Sequence, residues 1–312
     1  MRIVFIGTGE IGVPSLRVLL RAPQHQLVGV VTQPDKPVGR DQRLTAPPIK
    51  TELAGTSTPV FQPARIRNEE AVAQLRELAP DVIIVMAYGQ ILPKSVLEIP
   101  TIACLNLHAS LLPQYRGAAP IQAAIAAGDA ETGITVIYMD EGLDTGDMLL
   151  QKKLTISPNE TGGSLHDRLA ELAPEALRSA LELLATGDAP RLPQPAAEAT
   201  HAPKLTREHG RIDWAETAES IERKIRAYDP WPGAFTQLGD ATGKTRHLKI
   251  FRASVRDQDL GAPGTLSRPN DAEVFVAAGR GALRLEEVQL EGKRRMGAPD
   301  FFRGFSSPSL HF

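Results

Sequence analysis

The chain has 312 residues, 42% of them hydrophobic, and a single cysteine, Cys104. That length exceeds one ordinary core, so two domains are expected. One cysteine excludes an internal disulfide and an all-cysteine zinc site, and makes a reducing cytoplasm the expected compartment. The net charge of −2 argues against a strongly basic nucleic-acid binder, but it is uneven. Residues 1–200 carry 17 Lys and Arg against 22 Asp and Glu, whereas residues 201–312 carry 18 against 15, which permits a polyanionic partner.

Met1 to Gly7 is apolar only for a strand's length and lacks a cleavage-site pattern, so it reads as a strand and not as a signal peptide. No apolar run approaches the ~18 residues of a membrane span. After Arg2 to Ile6 come Gly7-Thr8-Gly9-Glu10-Ile11-Gly12, a helical stretch with Leu16, Leu19 and Leu20 in register, and a second apolar strand, Gln26 to Val31. Strand, G-x-G-x-x-G, helix, strand is by itself a dinucleotide-binding fingerprint. A nicotinamide site also wants an acidic residue closing the second strand, where Thr32-Gln33-Pro34 stand and Asp35 comes late, beside Lys36. Pro34 to Lys50 is proline-rich and basic, with Lys36, Arg40, Arg43 and Lys50, and taken alone is a solvated loop. Val60 to Gln62 reads as a short strand, Ala71 to Leu78 as a helix, and Val82 to Met86 as a strand buried on both faces.

The next run, Ile102 to Leu107, is apolar except for Asn106, and His108 follows at the strand period. The two side chains therefore share a face, about 7 Å apart. Ser110-Leu111-Leu112-Pro113 stops the strand, and a loop leads to a helix near Ile121. A further strand, Gly133 to Met139, runs into Asp140-Glu141-Gly142-Leu143-Asp144-Thr145-Gly146-Asp147. Loops at the carboxyl ends of neighbouring parallel strands converge on one crevice, so Asn106, His108 and Asp144 are expected to meet. A carboxamide and an imidazole can donate to a developing oxyanion, and a carboxylate can take up a proton. Ser110 has no neighbouring base, so no covalent intermediate is expected. The seven histidines are scattered, so no metal is expected either.

Met148 to Leu154 reads as a strand and Leu165 to Leu184 as a long amphipathic helix. Gly187 to Pro203 then carries four prolines and almost no large apolar residue, the composition of a linker. Beyond it, a helix over Ala218 to Ala227 and alternating runs at Ala234 to Leu238, His247 to Ala253, Glu273 to Ala277 and Ala282 to Gln289 suggest a small barrel.

Three motifs carry a resemblance. Asn-x-His-x-Ser-Leu-Leu-Pro at 106–113, Arg-Gly-Ala-x-Pro-Ile-Gln at 116–122 and Asp-x-Gly-Leu-Asp-Thr-Gly-Asp at 140–147 resemble the catalytic module of the folate-dependent formyltransferases. Ile212-Asp213-Trp214, Asp229-Pro230-Trp231-Pro232-Gly233 and Lys293-Arg294-Arg295-Met296 are similar to that family's carboxyl-terminal barrel, so the resemblance covers essentially the whole chain. It implies an α/β fold: a Rossmann-like parallel-sheet formyltransferase domain over 1–189, a linker over 190–205, and an OB-like β-barrel that binds tRNA over 206–312.

The resemblance also implies an activity. Formyl would pass from 10-formyltetrahydrofolate to the α-amino group of methionine on initiator Met-tRNA, for translation initiation. The amine would attack directly, with Asn106 and His108 holding the oxyanion and Asp144 handling the proton. Ser110, Leu111, Leu112 and Pro113, with Tyr88 and Gly89, would hold the folate. Lys36, Arg40 and Arg43 would reach the tRNA acceptor arm. A cytoplasmic monomer without metal or membrane is implied. The family usually carries proline at the place of Gly9, where this sequence departs from it. Rival readings are formylation of glycinamide ribonucleotide or of amino-sugar nucleotides, hydrolysis of formyl-folate, a nicotinamide dehydrogenase, and a non-catalytic RNA-binding module. The last leaves Asn106, His108 and Asp144 without a purpose.

Overall fold

The computed structural model describes residues 1–39, 41–239, 245–304 and 309–311. They form two compact units, one of Met1–Pro120, Glu131–Thr155 and His166–Ala202, the other of Ile121–Ala130, Ile156–Leu165 and Pro203–Phe312.

From the amino terminus run β1 (Arg2–Gly7), α1 (Val13–Arg21), β2 (Gln26–Val31), the hairpin of β3 (Lys36–Val38) and β4 (Arg43–Thr45), α2 (Pro48–Glu52), β5 (Val60–Phe61), α3 (Glu69–Glu77) and β6 (Val82–Met86). Next come α4 (Lys94–Leu97), β7 (Ala103–His108), β8 (Arg116–Gly117), α5 (Pro120–Ala127), β9 (Glu131–Tyr138), β10 (Met148–Thr155), α6 (Gly162–Thr186) and β11 (His201–Ala202). The main sheet of the first unit has the order β10-β9-β7-β6-β1-β2-β5. It is a Rossmann-like mixed sheet: β5 to β7 pair in parallel, β9 is antiparallel to β7, and β10 is antiparallel to β9.

The apolar runs occupy the centre for a simple reason. Every residue of β6 is buried, as are Ile3 to Ile6 of β1, and strands covered on both faces need continuous apolar sequence. Val72 and Leu75 of α3 pack with Val4, Ile6, Ile83 and Val85 in one core. Each fully buried aliphatic side chain stabilises the fold by about 1.5–3 kcal/mol relative to exposure. In α6, Leu165, Leu169, Ala173, Ala176, Leu177 and Ala180 are buried at helical spacing.

The glycine-rich first turn is explained by packing. A Cβ on Gly7 would lie 2.7 Å from the Phe5 ring and 2.8 Å from the Met86 carbonyl oxygen. Gly9 differs: at φ −77° and ψ 166° it holds the torsion of a proline, and a Cβ there would meet only the Ala87 Cβ, at 3.9 Å. Gly9 therefore holds a conformation that a proline could also adopt. Gly9→Pro is expected to stabilise the first unit by about 0.4–1 kcal/mol through the unfolded chain. A higher denaturation midpoint would support this; a lower one would show that the Gly9 N–H is needed.

One expectation is corrected here. The strand leading to Asp140–Asp147 is not parallel to its neighbour; β9 runs against β7, pairing His108 with Thr135 and Leu105 with Tyr138. Residues 190–202, inside the stretch from Gly187 to Pro203 that has the composition of a linker, group with the first unit. Leu192 and Met148 exchange main-chain hydrogen bonds at 2.8 and 2.9 Å, Arg116 N donates to Thr200 O at 2.9 Å, and β11 pairs with β8. The segment is held by its backbone, so its lack of large apolar side chains gives no hint of attachment.

In the second unit follow α7 (Ala218–Ala227), β12 (Phe235–Gly239), β13 (Thr245–Arg256), β14 (Leu266–Asn270), β15 (Glu273–Ala277), β16 (Ala282–Leu290), β17 (Met296–Gly297), α8 (Ala298–Arg303) and β18 (Ser309–His311). Its antiparallel sheet has the order β14-β15-β16-β13-β12-β18, with β17 against β16. Thr217 caps α7 by accepting from Ser220 N at 3.2 Å. Trp214, fully buried, anchors the core with Ile221, Leu248, Leu283 and Phe302, and its Nε1 donates to Thr236 Oγ1 at 3.1 Å. Among the described residues no helix is long and apolar enough to cross a membrane.

Candidate active site

Strand β7 delivers Asn106 and His108 to one face, as the strand period requires. What brings Asp144 to them is a loop closed at its base: Met139 N donates to Cys104 O at 2.8 Å and Tyr138 N to Asp147 O at 2.9 Å. Asn106 Nδ2 then donates to Asp144 Oδ1 at 3.3 Å, and His108 Nδ1 lies 3.6 Å from Asp144 Oδ2. Gly117 N donates to the same Oδ2 at 2.8 Å. The side chains of His108 and Asp144 are only 6% and 13% exposed, so the charge sits in a weakly screened setting.

The imidazole's orientation is fixed at its far edge. His108 Nε2 lies 2.9 Å from the Tyr115 carbonyl oxygen; a carbonyl can only accept, so Nε2 carries a hydrogen and the Nδ1 edge faces Asp144. Tyr115 and Asp144, the residues contributing this carbonyl and the carboxylate, both have left-handed backbones, at φ 60° and 54°. Such torsions cost non-glycine residues about 1–3 kcal/mol and cluster where surroundings over-determine them.

The other expected site residues lie differently. Ser110, Leu112 and Pro113 are buried and Leu111 half-buried. Ser110 Oγ donates to Gln114 O at 2.6 Å and its carbonyl accepts from Thr135 Oγ1 at 2.6 Å, while Leu112 N donates to the same hydroxyl oxygen at 3.0 Å. These residues shape the turn beneath His108. The Tyr88 ring is packed in the core of the first unit, where burial pushes its hydroxyl up to about 12. Its carbonyl instead receives Thr8 Oγ1 at 3.0 Å and Gln33 Nε2 at 3.3 Å. Gly89 is exposed at φ 84°. Lys36 and Arg43 stand exposed on the β3–β4 hairpin, while Arg40 lies outside the described residues. Lys50 is tied to Asp35 at 2.8 Å, and Gln62 donates to the same carboxylate at 2.7 Å. The bonds from Gln62 and Lys50 hold the Asp35 carboxyl below its ordinary range and occupy the acid that follows β2, where a ribose would need it free. Burial raises the Cys104 thiol to about 12, which suits an inert core residue. Among the described residues no group of three or more His, Cys, Asp or Glu is arranged to hold a metal ion.

The family profile described as "Formyl transferase" matches residues 1–181, and "Formyl transferase, C-terminal domain" matches residues 204–306. The chain belongs to the formyl transferase family. It is 52% identical to a "Methionyl-tRNA formyltransferase" of Marinobacter nauticus, covering 97% of this chain and 96% of that one. It is 46% identical to the protein of that name in Akkermansia muciniphila, covering 100% and 99%. Its fold is shared by WlaRD, a sugar 3N-formyl transferase, at TM-score 0.65 and 17% identity, over 94% of this chain and 99% of that one. HypX from Aquifex aeolicus, solved with tetrahydrofolic acid, matches at TM-score 0.62 and 19% identity, over 100% of this chain and 51% of that one.

As a formyl transferase the chain is an enzyme, and its geometry adds residues that sequence reasoning missed. Gly117 N, the Tyr115 carbonyl, Thr135 and Gln194 all hold the three polar side chains or their loops. Gly117 lies in the second motif and Tyr115 directly before it, which was a usable signal. Thr135 and Gln194 had none, because their importance lies in contacts across 25 and 50 positions of chain.

Proposed function

We propose that this enzyme transfers the formyl group of 10-formyltetrahydrofolate to the α-amino group of methionine on initiator Met-tRNA. The observation that carries the chemistry is the convergence of Asn106 Nδ2 and His108 Nδ1 on the Asp144 carboxylate. The acceptor is inferred from the full-length likeness to proteins named for it.

The neutral amine attacks the formyl carbon, forming the new C–N bond and leaving negative charge on the formyl oxygen. An amide NH2 has two hydrogens, so Asn106 can bind Asp144 with one and meet the oxyanion with the other. With its Nε2 hydrogen held by the Tyr115 carbonyl, His108 donates alongside it from Nδ1, as the imidazolium. Asp144 accepts the amine's proton, directly or through water, and passes it by the same route to the folate nitrogen as the bond from that nitrogen to the formyl carbon breaks. The main chain around Ala87–Gly89 and the turn at Ser110–Pro113 form the folate wall in this reading. Lys36, Arg40 and Arg43 meet tRNA phosphates, as does the second unit, and the enzyme works as a cytoplasmic monomer.

The test is incorporation of labelled formyl from 10-formyltetrahydrofolate into purified Met-tRNA, initiator and elongator forms side by side. Transfer confined to the initiator is expected. Folate binding without transfer to either would move the acceptor to another amine, such as an amino-sugar nucleotide. In the same assay Lys36→Ala with Arg43→Ala is expected to leave kcat nearly unchanged and weaken tRNA binding. The slope of log affinity against log salt should shrink by about 1 for each phosphate that is no longer neutralised. An unchanged slope would make the hairpin a mere surface loop.

A further inference from the structure

Gln194 lies in the stretch between the two family matches, in sequence that reads as a featureless proline-rich segment. Its amide is fully engaged. Nε2 donates to the carbonyl oxygens of Asp144 and Gly146, both at 2.8 Å. Oε1 accepts from Arg116 Nε at 3.0 Å and from Arg116 Nη2 at 2.7 Å. Two carbonyls can be met only by the NH2 end and a guanidinium only by the oxygen, so the amide has one possible orientation.

The partners of that amide are informative. Asp144 has φ 54°, a torsion that an aspartate leaves readily for the right-handed or extended region when nothing holds it. Its carboxylate is reached from Gly117 and Asn106, but its main chain is held by Gln194. Relaxation of that torsion would swing the carboxylate away from Asn106 and His108. The segment bearing Gln194 does not depend on this side chain. It is anchored on one side by the Leu192–Met148 main-chain pair and on the other by Thr200, whose Oγ1 accepts from Tyr115 N at 2.8 Å.

From this we infer that Gln194 is a positioning residue for Asp144: it clamps the Asp144–Gly146 backbone so that the carboxylate stays in register with Asn106 and His108. The inference rests on the formyl-transfer reading above. Because its amide is taken up by Arg116 and the two carbonyls, Gln194 acts through Asp144. Arg116 orients the amide by occupying its oxygen.

The experiment uses the full chain with 10-formyltetrahydrofolate and initiator Met-tRNA under single-turnover conditions. Gln194→Met keeps the side chain's length and removes donors and acceptor; Gln194→Glu keeps the acceptor for Arg116 and removes the donors. Both are expected to slow transfer by about 10- to 100-fold, with KM for either substrate changed by less than about threefold. In an Asp144→Asn background the Gln194→Met change should cost less than about threefold, because a residue acting through Asp144 has nothing left to position. If Gln194→Met does not fold, Gln194→Glu decides alone. A rate within about threefold of wild type in the folded variant overturns the proposal, as does an equal loss in both backgrounds. A wild-type chain that transfers no formyl group at all overturns the underlying reading, and this proposal with it.

Discussion

Asp144→Asn is expected to bind both substrates at near wild-type KM and to transfer formyl about 10²- to 10⁴-fold more slowly, the scale of a lost general base. The substitution isolates the charge. Asparagine adopts the left-handed torsion that Asp144 holds at φ 54°, and its oxygen can still accept from Gly117 N, so the loop should persist. Thermal stability is expected to change by less than about 1 kcal/mol. A variant with kcat within about tenfold of wild type would remove Asp144 from proton transfer and leave it only a structural role.

Asn106→Ala carries the second large effect. Removing one preorganised oxyanion donor typically costs about 10²- to 10³-fold in kcat. The loss should appear in kcat and kcat/KM alike, because the donor meets charge that exists only in the transition state. Asn106→Asp keeps the shape but sets a second carboxylate against Asp144, 3.3 Å from where the amide now sits, and should do no better than alanine. Undiminished kcat in Asn106→Ala, with the protein folded, would leave the oxyanion to His108 and main-chain donors.

Several elements were legible in advance because their cause is local. The buried strands β1 and β6 announce themselves as continuous apolar runs, and α7 matches its expected span of Ala218 to Ala227. Asn106 and His108 share a face because the strand period makes them do so. Tyr88 enters the expected folate wall only through the resemblance, and nothing local announces that its ring packs in the apolar core. The Pro34–Lys50 segment reads as a loop because its prolines and charges suit solvent, but it folds into the β3–β4 hairpin and α2.

By itself the sequence determined the apolar strands and helices, the pairing of two donors on β7, and, through its three motifs, the family. The tertiary structure decided the direction of β9, the route by which Asp144 returns to β7, and the attachment of residues 190–202. The reason is the same in each case. Strand direction, loop closure and the hydrogen bonds of Gln194 depend on groups far apart along the chain, and many of them are main-chain groups identical at every position. Such interactions leave no mark in composition or spacing.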